Sequence, residues 1–135
     1  VTEPIWIEER DALTLHERLV ALHGGPAGVR DRSLLQSALA RPRQRFAYAP
    51  DAGAPELAAA YTARIVGNHP FVDGNKRTGF VLGVLFLELN GHRFTAGEVE
   101  AAQAVIALAA GRLTEEGYAA FLAANLHRAS DETSG

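Results

Sequence analysis

The chain has no cysteine. Disulfides and thiolate-bound zinc are therefore excluded. It has no methionine either and begins with Val1, so this start need not be the encoded one. No apolar run approaches the roughly 20 residues needed to cross a bilayer. The longest, residues 80–87, has a glycine inside it. A basic-then-apolar leader is missing as well. Glu3, Glu8 and Glu9 stand near the start, and no signal peptide is expected. Nor is there an excess of positive charge. The formal net charge is -3, which gives no reason to expect a nucleic-acid or acidic-membrane surface. No internal repeat or low-complexity tract is present.

What remains is an ordinary globular composition. With 135 residues, 47% apolar and 21% charged, the chain suits one domain over 1–135 with a real core. A cytoplasmic protein is the default expectation. Residues 128–135 are polar and read as a frayed, disordered tail.

Apolar periodicity supplies the architecture. Ile5-Trp6-Ile7 reads as a small edge strand or an extended lead-in. Ala12, Leu15, Leu19 and Leu22 step by three and four, which predicts a helix over 8–23. Gly24-Gly25-Pro26 stops it. Asp31 is a good N-cap for a short helix carrying Leu34, Leu35, Ala38 and Leu39, which Pro42 should end. Residues 43–55 have no period and read as the longest loop. Pro55 opens a helix through Leu57, Tyr61 and Ile65 that stops near Asn68, because Pro70 disfavours helix at His69.

Gly74 starts a helix to Asn90 that is apolar all round until Glu88, which marks a central element. Thr95-Ala96-Gly97-Glu98 reads as a capping box before Val99, Ala102 and Ile106. Thr114 opens a last helix through Tyr118, Phe121, Leu122 and Leu126. The expected fold class is all-α, a compact bundle of about six helices around the one from Gly74.

The chemistry is concentrated at the start of that helix, in His69-Pro70-Phe71-Val72-Asp73-Gly74-Asn75-Lys76-Arg77-Thr78. A helix N-terminus has unpaired N–H groups and a partial positive charge, and so receives anions. Gly74 lets a ligand approach the backbone. Asn75 can bond locally and hold the turn. Lys76 and Arg77 oppose the helix dipole, an arrangement that is unfavourable unless an anion sits there. That mismatch points to phosphate, and to a nucleotide as its carrier. Asp73 suits a Mg²⁺ ion that bridges phosphates. His69, with an unperturbed pKa near ~6.5, suits proton abstraction from a hydroxyl. Phe71 is the expected peg into the core.

Each residue alone has a plainer reading. A lone histidine before a helix is ordinarily structural, Asp73 alone an N-cap, Lys76 and Arg77 alone solvated. His69 and Asp73 could also be two ligands of a metal-dependent hydrolase. His16, His23, His92 and His127 are scattered and read as surface or packing residues, and Arg41, Arg43 and Arg45 as a solvated run.

The ten-residue stretch, continued through Gly79 and Phe80, resembles the Fic/Doc signature H-P-F-x-[D/E]-G-N-G-R-x-x-R. Lys76 replaces its second glycine and Phe80 its last arginine. N-K-R-T is what the Doc (death-on-curing) branch looks like. His23-Gly24-Gly25, Gly28-Val29-Arg30-Asp31, residues 34–40 and Phe86-Leu87-Glu88-Leu89-Asn90-Gly91 are similar to Doc-type toxins as well.

The resemblance implies the helical Fic core. Most Fic enzymes transfer AMP from ATP to a protein hydroxyl. Doc-type toxins bind the nucleotide the other way round and pass its terminal phosphate to a threonine of elongation factor EF-Tu, which arrests translation. A Phd-type antitoxin docks on the toxin and blocks it. By this likeness His69 is the base and Asp73 the Mg²⁺ ligand. Asn75, Lys76 and Arg77 hold phosphates, together with the N–H groups of Gly74 and Asn75. Residues 43–55 match the place of the family's target-docking flap. Lysine at 76 fills the space a phosphate would take in AMP transfer, and Phe80 brings no charge, so both favour phosphate transfer. No Ser or Thr here is followed four residues later by Glu, as the family's self-inhibitory motif requires. Restraint by a separate antitoxin is the expectation, with any operator binding left to that partner. AMP transfer and a non-catalytic nucleotide- or partner-binding module are the alternatives.

Overall fold

The computed structural model describes residues 2–129. Among them are six helices and one pair of short strands: α1 (Glu9–His23), α2 (Arg32–Tyr48), α3 (Ala54–Asn68), α4 (Asn75–Leu89), β1 (His92–Phe94), α5 (Glu98–Ala109), α6 (Glu115–Ala124) and β2 (Leu126–Arg128). This is the expected helical bundle with a small antiparallel ribbon added. No described helix is long and apolar enough to cross a membrane.

Local chemistry sets most helix ends. Glu8 caps α1 through a reciprocal box with Asp11, and Gly24, at φ 82°, closes it. The Asp31 carboxylate accepts from Leu34 N–H at 3.1 Å, and the Thr114 hydroxyl from Gly117 N–H at 2.9 Å. Pro55 lies in the first turn of α3.

The centre is shared by α3 and α4. From α3, residues Leu57 to Thr62 are all buried, with Ile65 and Val66. From α4, Gly79 and Gly83 let the two backbones approach. A Cβ on Gly83 would lie 2.5 Å from Thr62 Oγ1 and 3.2 Å from the Ala58 carbonyl. The Thr62 hydroxyl donates to the Gly79 carbonyl at 2.7 Å, which fixes the register of the pair. Helix α2 and α6 pack on α3, while α1 and β1 pack on α4. Large side chains fill the space between, among them Trp6, Tyr61, Phe86 and Tyr118. Burial of each such side chain contributes on the order of 2–3 kcal/mol. The α3–α4 pair matters for function because the end of one helix and the start of the other meet at the motif loop.

Several expectations are corrected. Helix α2 does not end at Pro42. It runs through that buried proline to Tyr48, so the loop expected over 43–55 shrinks to the turn between Tyr48 and Ala54, and the proposed flap is mostly helix. A proline inside a helix costs about 3 kcal/mol, and contacts made by the second half offset it. Arg45 pairs with Glu56 and Glu115, Arg43 pairs with Glu8, and Phe46 meets the Trp6 ring edge-on at 5.7 Å. Of the two readings of residues 5–7, the strand fails and the lead-in without strand pairing stands. Ile5 pairs its backbone with the Asn90 amide instead, and Ile7 N–H donates to Tyr61 Oη at 3.0 Å.

Helix α5 is capped by Gly97 and not by Thr95, whose hydroxyl bonds the Asn125 carbonyl. Its buried face is Ala101 and Val105, leaving Val99 and Ile106 exposed. In α1 the buried positions are Ala12 and His16, and Leu22 is 76% exposed. Leu126 leaves α6 for β2, where Arg128 pairs with His92. Ala129 N–H then donates to the Gly91 carbonyl. The rest of the expected polar tail, 130–135, lies outside the described residues.

Candidate active site

Helix α3 stops at His69, which takes the left-handed conformation (φ 50°, ψ 55°). It is the single non-glycine residue with positive φ among those described. Such a conformation costs on the order of 1 kcal/mol or more and persists only where neighbours enforce it. They do so here from the α1–α2 connection. Arg30 Nε donates to the His69 carbonyl at 2.7 Å and Arg30 Nη2 to the Asn68 carbonyl at 2.9 Å. The N–H groups of Arg30 and Asp31 both donate to the Pro70 carbonyl, and Val72 N–H donates to the Gly28 carbonyl. Val29 and Phe71 form an isolated bridge between the two segments. The result is an exposed His69 imidazole on a held backbone.

The loop is closed from within. Phe71 is fully buried, as expected of a peg. The Asn75 amide accepts from Phe71 N–H and donates to the Phe71 carbonyl, both at 3.0 Å. Asn75 does hold the turn, and its side chain is spent in doing so. What it can offer an anion is its N–H group. Beneath the loop lies His16, 2% exposed and stacked on the Phe71 ring at 3.9 Å with an 8° interplanar angle. Its Nε2 lies 2.8 Å from the Asp73 carbonyl. A carbonyl only accepts, so Nε2 carries the hydrogen.

Gly74, at φ 77°, is the N-cap of α4 and has no side chain to occupy the helix mouth. The first helical bond runs from Thr78 N–H to the Gly74 carbonyl, which leaves the N–H groups of the first turn to other partners. Lys76 and Arg77 are exposed, and among the described residues neither is ion-paired. Asp73 is exposed too. Its carboxylate lies against Gly25, where a Cβ would come within 2.5 Å of Oδ2.

A cavity of about 500 Å³ joins these groups. His69, Asp73, Gly74, Asn75, Lys76 and Arg77 all line it, so the structure brings every sequence-predicted site residue to one place. Its far wall is α1, with Leu19, Val20 and His23. Lys76 and Arg77 also border a second cleft of about 420 Å³, lined by Phe80, Phe94, Val105 and Ile106, with Glu98 in its wall. One cavity is polar and cationic, the adjoining one mostly apolar, a division suited to a ligand with a charged end and a flat organic end.

Among the described residues, no three histidines or carboxylates gather to hold a metal. His69 and Asp73 therefore have no third protein ligand for a hydrolase centre. Mg²⁺ asks less, one or two carboxylates with phosphate oxygens completing the shell. The free Asp73 carboxylate beside a glycine-lined space fits that requirement.

Sequence reading missed His16 and Arg30. His16 did carry a signal, since it is polar and lies on the buried stripe one turn after Ala12. Arg30 stood only within the Gly28–Asp31 stretch that is similar to Doc-type toxins, and its role was not legible because its partners are backbone carbonyls 39 and 38 residues away in sequence.

Residues 6–87 match the model of the Fic/DOC family. The chain is 39% identical over 94 residues to Toxin Doc of Mycolicibacterium smegmatis (strain ATCC 700084 / mc(2)155), covering 67% of this chain and 68% of that protein. It is 31% identical over 85 residues to Protein kinase doc of Escherichia phage P1, covering 63% of this chain and 68% of that one. The chain belongs to the Fic/DOC family.

Proposed function

We propose that this chain transfers the terminal phosphate of ATP to a protein hydroxyl, a threonine of EF-Tu being the favoured target. It would act in the cytoplasm as a toxin, neutralised by a Phd-like antitoxin. The observation that carries the reading is the exposed His69 imidazole sharing one cavity with Lys76 and Arg77 at the mouth of α4, none of the three ion-paired among the described residues.

In this reading the triphosphate lies against the first turn of α4. The N–H groups of Gly74 and Asn75 and the side chains of Lys76 and Arg77 take the charge of the transferring group. His69 accepts the proton of the target hydroxyl. That oxygen forms a bond to the γ-phosphorus as the bond to the β,γ-bridging oxygen breaks. ADP leaves with the bonding pair, and the proton stays on the imidazole until solvent takes it. Asp73 would hold a Mg²⁺ ion, which would supply neutralisation of phosphate charge.

AMP transfer is the closest rival. Against it stand Lys76 in place of the motif's second glycine and Phe80 in place of its last arginine. Phe80 packs edge-on to Phe94 at 6.0 Å and offers no cation. The name of the phage relative, a protein kinase, supports the phosphate reading. Incubation with EF-Tu and ATP labelled at either the α- or the γ-phosphate tests it. Label on the target from γ alone is expected, and label from α would establish the rival.

A further inference from the structure

We propose that His16 is a positioning residue for the site, fixing the Asp73–Gly74 peptide from below through its Nε2–H. This deepens the phosphate-transfer reading and rests on it for its functional consequence, though not for its structural one.

The argument starts from the peptide plane. In a trans peptide the C=O and the following N–H point in opposite directions. Pinning the Asp73 carbonyl on His16 therefore turns the Gly74 N–H away from α1's imidazole. The same peptide bears the Asp73 side chain on one flank and the first residue of the anion cradle on the other. One hydrogen bond at 2.8 Å thus orients both the carboxylate and the N–H group that the proposed reaction uses.

The imidazole can do this because it cannot move. It is 2% exposed and lies flat on Phe71 at 3.9 Å, and Phe71 is itself tied at both backbone groups to the Asn75 amide. The circuit closes on itself: His16 to Phe71, Phe71 to Asn75, and Asp73 back to His16. A Cβ on Gly74 would lie 3.8 Å from His16 Nε2, so the ring also floors the N-cap. From the other side Gly25 leaves room for the Asp73 carboxylate. A phenylalanine would satisfy a merely apolar position on α1. The donor is what the loop requires, since the Asp73 carbonyl is only part-buried and without it would be free to turn toward water.

Three variants separate the donor from the ring. His16→Gln keeps an N–H near the place of Nε2 and loses the stack. His16→Phe keeps the stack and loses the donor. His16→Leu, also without a donor, replaces it should His16→Phe fail to fold. The first readout needs no ligand: the backbone amide resonances of Gly74 and Asn75 in the free protein. The second is the affinity for inorganic triphosphate with Mg²⁺. The third is kcat and KM for label transfer from γ-labelled ATP.

The donor-less variants should shift the Gly74 resonance, weaken triphosphate about tenfold, and lower kcat by roughly a hundredfold, the cost of a small misplacement. His16→Gln should stay within a few-fold of the parent in each. An unshifted Gly74 resonance in His16→Phe, or equal losses in the glutamine and phenylalanine variants, would overturn the proposal and make His16 a packing residue. If the parent protein neither binds triphosphate nor transfers label, the phosphate reading fails while the Gly74 resonance still decides the role of His16.

Discussion

The Arg30 guanidinium spans the end of α3, donating to the carbonyls of His69 and Asn68 at 2.7 and 2.9 Å. It thereby holds a left-handed histidine that would otherwise relax. Replacing Arg30 by methionine keeps the aliphatic stem and removes both bonds. The expected cost is about 1 kcal/mol of stability, because the bonds are at the surface. The larger effect falls on transfer, a drop of about tenfold to a hundredfold from a misdirected imidazole. Thermal melts beside steady-state kinetics check this, and a variant with parental kcat would show that the turn needs no clamp.

His69→Gly separates stability from activity. Glycine adopts positive φ freely, so the variant should melt at or above the parent's temperature, with a gain of up to about 1 kcal/mol. Phosphate transfer should fall by about 10²- to 10⁴-fold, the usual contribution of a general base. Loss of the fold in this variant, or retention of its activity, would go against the assignment.

Gly83 carries the α3–α4 contact. Alanine favours helix by about 1 kcal/mol over glycine, yet here its Cβ would strike Thr62 Oγ1 at 2.5 Å and the immobile Ala58 carbonyl at 3.2 Å. Gly83→Ala should destabilise by about 1–3 kcal/mol. Adding Thr62→Ala relieves one clash but also removes the bond to Gly79, so rescue should be partial. Denaturant unfolding of both variants measures this.

Two buried tyrosines set an alkaline limit. Burial pushes the phenols of Tyr61 and Tyr118 up to about 12, the Ile7 N–H opposing part of that for Tyr61. In the unfolded chain both ionise near ~10. The folded state therefore holds its protons longer, and the stability this represents is whole below pH ~10 and lost as pH rises toward ~12. Up to about 2–3 kcal/mol per tyrosine is involved. Unfolding by base should begin above pH ~10, and Tyr118→Phe should move it upward.

The parts legible in the sequence are those where local chemistry decides. The motif loop, both ends of α4, the Asp31 and Thr114 caps and the Gly24 stop are set within a few residues of themselves. So are the glycine N-cap of α4 and the two exposed cations in its first turn. What escaped depends on distant partners. Pro42 ends a helix in isolation, but Glu8, Glu56, Glu115 and Trp6 hold the continuation. Thr95 has the right neighbours for a cap and is drawn instead to Asn125. The β1–β2 ribbon joins strands of three residues each across α5 and α6, too short to show an alternation. His16 reads as packing until Asp73 is seen above it.

The central claim is that the mouth of α4 grips a triphosphate beside the His69 base. A crystal structure with a non-hydrolysable ATP analogue, Mg²⁺ and this chain tests it most directly. The account predicts the γ-phosphate on the N–H groups of Gly74 and Asn75 with Lys76 and Arg77 around it, the metal on Asp73, and His69 facing the open side of the phosphorus. The α-phosphate in that place, or a cavity left empty at saturating nucleotide, would contradict it.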